Sequence, residues 1–235
     1  MALTYKRIIL KLSGEALGEN GRLFDQDMIM RVAHVLADIA SSGAELGVVI
    51  GAGNIWRGRQ SKDMDAVTAD HMGMLGTVIN CLCMRDAVER CGAKAVVFSA
   101  IDMPRVCEAY NVQSARQAMS EGKIVFFAGG SGNPFFTTDT AVVLRAAEMK
   151  ADALLLAKNI DGVYTADPHK DPTATLIKDI SYADALAMGL RVMDTAAFAM
   201  LSEQAIPAVR VFGLSEPENV LKVIDGDPCG TVLHP

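Results

Sequence analysis

The sequence predicts a three-layer α/β/α sandwich built on a mostly parallel open sheet. Three observations point there. Short apolar runs alternate with stretches of helical periodicity along the whole chain. The apolar runs, such as YKRIILKL, ELGVVI, KIVFFA and DALLLA, are near-continuous and do not alternate with polar residues. That is the mark of strands buried on both faces. Finally, 235 residues with 51% hydrophobic and 21% charged content are long and apolar enough to bury such a sheet.

The elements follow in order. Residues 5–12 read as the first strand, ending at Ser13-Gly14. Asp25 is placed to cap a helix in which Met28, Val32, Val35, Leu36 and Ile39 recur at helical spacing, and Gly43 stops it. Residues 45–50 are a buried strand running into Gly51-Ala52-Gly53-Asn54. A long helix is expected over about 70–90. Its Met72, Met74, Leu75, Val78, Ile79 and Leu82 read as core, with a subunit interface as the alternative. Residues 94–99 form a strand and 114–121 a short helix. The strand 123–128 leads into GGSGNPFFTTD (129–139), after which Thr137 or Thr138 caps a helix. A strand follows at 152–157, then DGVYTADP, an extended piece ending in a proline turn. Helices at about 181–188 and 195–204 and a strand at 208–212 come next. Ser215 with Glu218 makes a capping box for a last helix. No linker or repeat divides the chain, so one domain over 1–235 is expected.

Composition narrows the function classes. A net charge of −6 weighs against a broad nucleic-acid surface but allows a local pocket for a small anion. No run approaches the ~18 apolar residues of a membrane span. The first apolar run lacks a signal-peptide cleavage pattern, so a cytoplasmic protein is expected. Cys81, Cys83, Cys91, Cys107 and Cys229 are odd in number and lack C-x-x-C spacing, which reads as thiols in a reducing compartment. His34, His71, His169 and His234 are scattered. No structural metal site is expected; magnesium carried by a nucleotide needs no such signature.

In open parallel sheets ligands bind beyond the carboxyl ends of the strands. Three of those ends carry glycine-rich turns: KLSGE (11–15), GAGNIWRG (51–58) and GGSGNPFFTTD. Glycine lets backbone N–H groups approach an anion, and a following helix N-terminus adds its dipole. One such turn is an ordinary connection; three on one edge suggest a site for several phosphates. There is no G-x-x-x-x-G-K-[ST] loop, and Trp56 stands where a dinucleotide fingerprint needs its third glycine. Lys11, at the end of the first strand, can reach a transferring phosphoryl group, the alternative being a surface lysine. Arg57 could neutralise phosphate oxygens, or be a solvated loop arginine. Asp70 is either a helix cap or a ribose ligand. Asp139 and Asp194 sit at helix starts, as caps or as groups that orient lysines or magnesium around phosphates.

KLSGE, GAGNIWRG, DHMGMLGTVIN, GNPFFTTDTA, DGVYTADP and VMDTAAF together resemble the ordered motif set of the bacterial uridylate kinases, within the amino acid kinase superfamily. The resemblance runs from residue 5 to about 233. It implies an amino acid kinase-like fold and transfer of the γ-phosphoryl of ATP to UMP, giving UDP for pyrimidine nucleotide synthesis, with Mg2+ carried by ATP. It implies an acceptor half at about 1–150 and an ATP half at about 151–235. The UMP site carries over onto Ala52, Asp70, Ser131, Gly132, Asn133, Pro134, Phe135, Phe136, Thr137 and Thr138. The ATP site carries over onto Lys11, Leu12, Ser13, Gly14, Gly53, Arg57, Tyr164 and Asp167, with Lys158 or Asn159. Lys11, Arg57, Asp139 and Asp194 would make the catalytic group. Ala52 stands where the family has a glycine. The family also implies homohexamers, UTP inhibition and, in some members, GTP activation; GENGRL (18–23) departs from the activator-responsive loop, which leaves GTP open. Two other readings stand beside this one: a superfamily member that phosphorylates a carboxylate or carbamate, and a non-catalytic nucleotide-binding protein. GNPFFTTD speaks against the first, and Lys11 with Asp139 and Asp194 against the second.

Overall fold

A computed structural model describes residues 4–18, 22–56, 63–168, 170–190, 192–214 and 216–235. Arg57, His169, Ser215 and the middle of GENGRL lie outside the described residues. The strands are β1 (Arg7–Leu12), β2 (Glu45–Ile50), β3 (Ala95–Ser99), β4 (Glu108–Ala109), β5 (Ile124–Ala128), β6 (Ala153–Lys158), β7 (Val163–Tyr164), β8 (Leu176–Ile177), β9 (Asp179–Ser181), β10 (Val209–Gly213) and β11 (Thr231–His234). The helices are α1 (Gln26–Ser41), α2 (Ala66–Arg90), α3 (Val112–Ser120), α4 (Thr138–Met149), α5 (Tyr182–Ala187), α6 (Thr195–Gln204) and α7 (Asn219–Ile224).

Among the described residues, nine strands form one sheet in the order β4-β3-β5-β2-β1-β6-β10-β11-β9. Every neighbouring pair is parallel except β10 with β11. The expected mixed α/β class and mostly parallel sheet are what the chain forms. The continuous apolar runs are explained by the pleat. Ile8, Leu10 and Leu12 join one core layer with Val32, Leu36 and Val78 from α1 and α2. Ile9 points the other way, into a second layer with Val142, Val143 and Leu201 from α4 and α6. Side chains alternate faces, and both faces are covered by helices.

Several local expectations need correction. The long helix begins at Ala66, not near residue 70. Asp65 is its cap, accepting from the Thr68 N–H at 2.9 Å, so Asp70 sits a full turn inside the helix. The short helix starts at Val112 under an Asn111 cap, two residues earlier than expected. The last helix starts at Asn219, and Glu218 gives it no side-chain cap; its carboxylate instead binds Arg31 at 2.9 Å. Strands β4, β8, β9 and β11 had no counterpart in the sequence reading. The apolar residues of α2 divide: Met74 and Val78 are buried, whereas Met72, Leu75 and Ile79 are exposed, at helical spacing along one side.

The Asp65 cap gives a direct expectation. Asp65→Ala should lower the midpoint of urea denaturation, because the Thr68 N–H loses its cap. Asp65→Asn, which keeps a capping oxygen, should lose little.

Candidate active site

Three connected hollows run along the carboxyl edge of the sheet. The first, about 630 Å3, lies between α2 and the 129–139 turn. The middle one, about 510 Å3, sits over the ends of β1 and β6 and shares Ala52, Gly53 and Thr138 with the first. A third, about 560 Å3, lies under the β7–β8 hairpin and shares Lys158 and Ile160 with the middle one.

The pleat puts the chemistry in the middle hollow. Lys11 has the parity of Ile9, so it faces the layer that α4 covers, and its ammonium meets the Asp139 carboxylate in the first turn of α4. Lys158 has the parity of Leu154 and Leu156 on the neighbouring strand, and so joins the same face. Its ammonium donates to the Val192 carbonyl. Burial pushes the Lys158 pKa down, Asp139 opposes that shift, and the Lys11 charge adds to it.

Two helix N-termini converge here. Thr137 caps α4, accepting from the Asp139 and Thr140 N–H groups at 3.1 and 3.4 Å. Asp194 caps α6, accepting from the Ala197 N–H at 2.9 Å. The Thr137 hydroxyl donates to the Asp194 carboxylate, as does Thr140 at 3.3 Å, so the two helix starts are latched together. Burial alone would raise the Asp194 pKa. The donors from Thr137, Ala197 and Thr140 outweigh it, and the carboxyl is held below the usual range. Asp194 is therefore a cap and an organiser at once, whereas Asp139 caps nothing and holds Lys11.

In the first hollow Asp70 shares one face of α2 with Gly73, Met74 and Thr77, the i, i+3, i+4, i+7 set. Its carboxylate accepts from the Phe135 N–H at 2.6 Å. Phe135 sits at φ +71, a region that non-glycine residues rarely adopt and that collects at functional turns. The rings of Phe135 and Phe136 are 75% and 50% exposed and form a wall of the hollow. Ser131, Asn133, Thr137, Thr138 and Ala52 line it too. Gly132 and Pro134 do not; a Cβ at Gly132 would stand 2.9 Å from the Ala100 carbonyl, so Gly132 packs the turn onto the sheet. The Ala52 methyl faces Gly76 of α2, where a second methyl would approach to 2.8 Å. Helix α2 thus makes the space that an alanine at position 52 requires.

Of the residues assigned to ATP, Lys11, Ser13, Gly14, Gly53, Lys158 and Asn159 line the middle hollow. Tyr164 and Asp167 line the third, with Lys158. The Leu12 side chain is in the core, and its carbonyl accepts from the Gly51 N–H at 3.0 Å, so it offers the site no side chain. Asn159 donates to Glu15 at 2.9 Å. Arg57 lies outside the described residues.

Sequence reasoning passed over the residues that hold the turns in place. Buried Asn80 donates to the Gly51 carbonyl at 2.7 Å and to Asn54 at 2.9 Å, bracing the second glycine turn at two points. A Cβ at Gly14 would lie 2.3 Å from the same carbonyl, so this close approach requires glycine. The Thr77 hydroxyl accepts from the Gly129 N–H at 2.9 Å. Arg145, stacked 3.7 Å over the Tyr110 ring and paired with Glu148 at 2.5 Å, donates to the Gly130 carbonyl at 3.3 Å. Burial, then the bond to Glu148, pushes the Tyr110 pKa up. The available signal was a polar residue within an apolar helical run, as at Asn80.

The sequence model of the amino acid kinase family matches residues 6–211. A uridylate kinase from Nocardioides sp. is 47% identical over 232 residues, which is 97% of this chain and 98% of that protein. A UMP kinase structure from Bacillus anthracis superposes with a TM-score of 0.93 at 36% identity, covering 98% of this chain and 96% of that one. One from Ureaplasma parvum gives 0.93 at 32% identity, covering 98% and 99%.

The Asp194 latch should show in acid. A carboxyl held low in the folded state contributes stability above its unfolded pKa, about 4, and loses it as pH falls through the folded value. The wild type should therefore exceed Asp194→Asn in stability near neutrality. The difference should shrink below about pH 4, measured by denaturation at a series of pH values.

Proposed function

The chain belongs to the amino acid kinase family, and we infer that it is a UMP kinase whose two substrates meet over Lys11. The observation that carries this reading is the first hollow: an acceptor pocket walled by Phe135, Phe136 and Asp70 that shares Ala52, Gly53 and Thr138 with the hollow Lys11 lines. A carboxylate acceptor has no need of a pocket that wide with two exposed rings.

UMP takes the first hollow. The rings of Phe135 and Phe136 flank base and sugar, Ser131, Asn133 and Thr138 address the pyrimidine edge, and Asp70 accepts from the ribose. ATP takes the other two, with its adenosine beside Tyr164 and Asp167 and its phosphates over Ser13-Gly14 and Gly53. A phosphate oxygen of UMP attacks the γ-phosphorus; the new O–P bond forms as the β,γ-bridging P–O bond breaks, and ADP leaves with that electron pair. The attacking oxygen is already anionic, so no strong general base is needed. Charge spreads over the equatorial oxygens, and Lys11, aimed by Asp139, stabilises it with the N-terminus of α4. Lys158, whose charge burial penalises, gains a counter-charge when phosphates arrive. Arg57 would add a further cation from beyond the described residues. A magnesium ion carried by the triphosphate would supply charge neutralisation, and the hard carboxylate oxygens of Asp139 and Asp194 beside the seam would suit it.

We extend the reading to assembly and setting. The chain acts as one domain, with residues 1–150 chiefly on the acceptor side and 151–235 chiefly on the ATP side. The exposed Met72, Leu75 and Ile79 stripe of α2 suits a self-association face, within the homohexamer implied by the family resemblance. A monomeric mass in sedimentation at micromolar concentration would overturn this. UTP inhibition fits the same family. The five free thiols suit a reducing cytoplasm.

Purified protein with ATP and Mg2+ should release ADP with UMP and not with CMP, AMP, acetylglutamate or aspartate. Equal turnover of CMP, or none of UMP, would reject the assignment. Lys11→Ala should lower kcat by about 100-fold or more with little change in the KM for UMP. Asp70→Asn should raise the KM for UMP more than that for ATP.

A further inference from the structure

Among the described residues, the β7–β8 hairpin forms a two-stranded sheet of its own and shares no ladder with the nine-stranded sheet. Thr231, the first residue of β11, joins the two. It is fully buried. Its hydroxyl accepts from the Val163 N–H at 2.8 Å, in β7, and donates to the Ile177 carbonyl at 2.5 Å, in β8. One side-chain oxygen of the main sheet thus satisfies a backbone donor on one hairpin strand and a backbone acceptor on the other.

The fit leaves no slack. A Cβ at Gly162 would stand 2.7 Å from the same oxygen. Gly230, at φ +75, lies so near β10 that a Cβ there would fall 2.1 Å from the Val211 carbonyl. The chain can therefore bring Thr231 this close only because both neighbours lack side chains. The hairpin in turn carries Val163 and Tyr164 into the wall of the third hollow and leads directly to Asp167.

We propose that Thr231 is a positioning residue for ATP: it touches no substrate, but its hydroxyl fixes the hairpin wall that contacts the adenosine. The proposal rests on reading the third hollow as the ATP site. Thr231→Val keeps the shape, removes both bonds, and strands a buried N–H and a part-buried carbonyl. The hairpin then gains freedom that ATP binding must quench, whereas the acceptor hollow, on the far side of β1, is untouched. Thr231→Ser keeps the oxygen and should restore function.

The test is steady-state kinetics on the full chain with each substrate varied in turn. Thr231→Val should raise the KM for ATP roughly tenfold, the factor expected from losing about one buried hydrogen bond. The KM for UMP and the kcat at saturating ATP should stay within about twofold, and Thr231→Ser should return the KM for ATP close to the wild type. An unchanged KM for ATP, or an equal rise in both KM values, would overturn the proposal. Tyr164→Ala separates the two levels. If it leaves the KM for ATP unchanged, the reading of the third hollow fails; if it raises that KM while Thr231→Val does not, only the role of Thr231 fails. Should Thr231→Val not fold, Thr231→Cys, with its weaker donor, carries the same expectation.

Discussion

Lys11 meets Asp139 because it shares a face with Ile9 on a strand whose odd-numbered residues lie under α4. The period of two along a strand leaves no other choice. A slip of one residue would bury the ammonium under α1 and α2, among Leu10, Leu12 and Leu36, and present an apolar side chain to the seam. The same parity brings Lys158 to that face from β6, whose ladder with β1 pairs Leu156 with Lys11. The register that packs the two core layers is therefore also the register that assembles the cationic centre. Stability and chemistry share one constraint, so neither can drift without the other.

The helices complete what the strands begin. Parallel strands end at one edge, and the helices that follow them start there, so their N-terminal dipoles face the same seam. Convergence alone would leave α4 and α6 free to slide. The Asp194 carboxylate prevents that by capping its own helix and receiving the hydroxyls of Thr137 and Thr140 on the other. Thr137 is the cap of α4, so the two caps hold each other. This explains how a carboxylate persists next to a site for anions: its charge is met by hydroxyl and amide donors.

What could be read from the sequence follows the range of the forces involved. The long central strands were legible because burial on both faces writes itself as an apolar run. Lys11, Asp139 and the 129–139 turn were legible because strand ends and helix starts are local signals. The two- to four-residue strands β4, β8, β9 and β11 were not, since they exist only through partners far along the chain. The start of α2 was misplaced because Asp65 and Asp70 look alike in sequence, and only the direction of the Thr68 N–H tells a cap from a residue one turn inside. Thr231 and Arg145 carried no readable role for a similar reason. Each is a polar residue whose partners lie tens of residues away or in another element.

The net charge of −6 raises a last point, since both inferred substrates are anions. At physiological ionic strength charges beyond about 8 Å are largely screened, so the overall sign has little reach. What an incoming phosphate meets is the local arrangement: two lysines from adjacent strands, two helix N-termini and glycine-lined backbone. At contact distance such charges and dipoles act with little screening by salt, so each contact counts for more than a distant surface charge. In the protein alone, burial weakens the hold of Lys158 on its proton. A phosphate beside Lys158 would supply a counter-charge that favours the charged form. The acidic exterior and the cationic seam are therefore compatible, because they act over different distances.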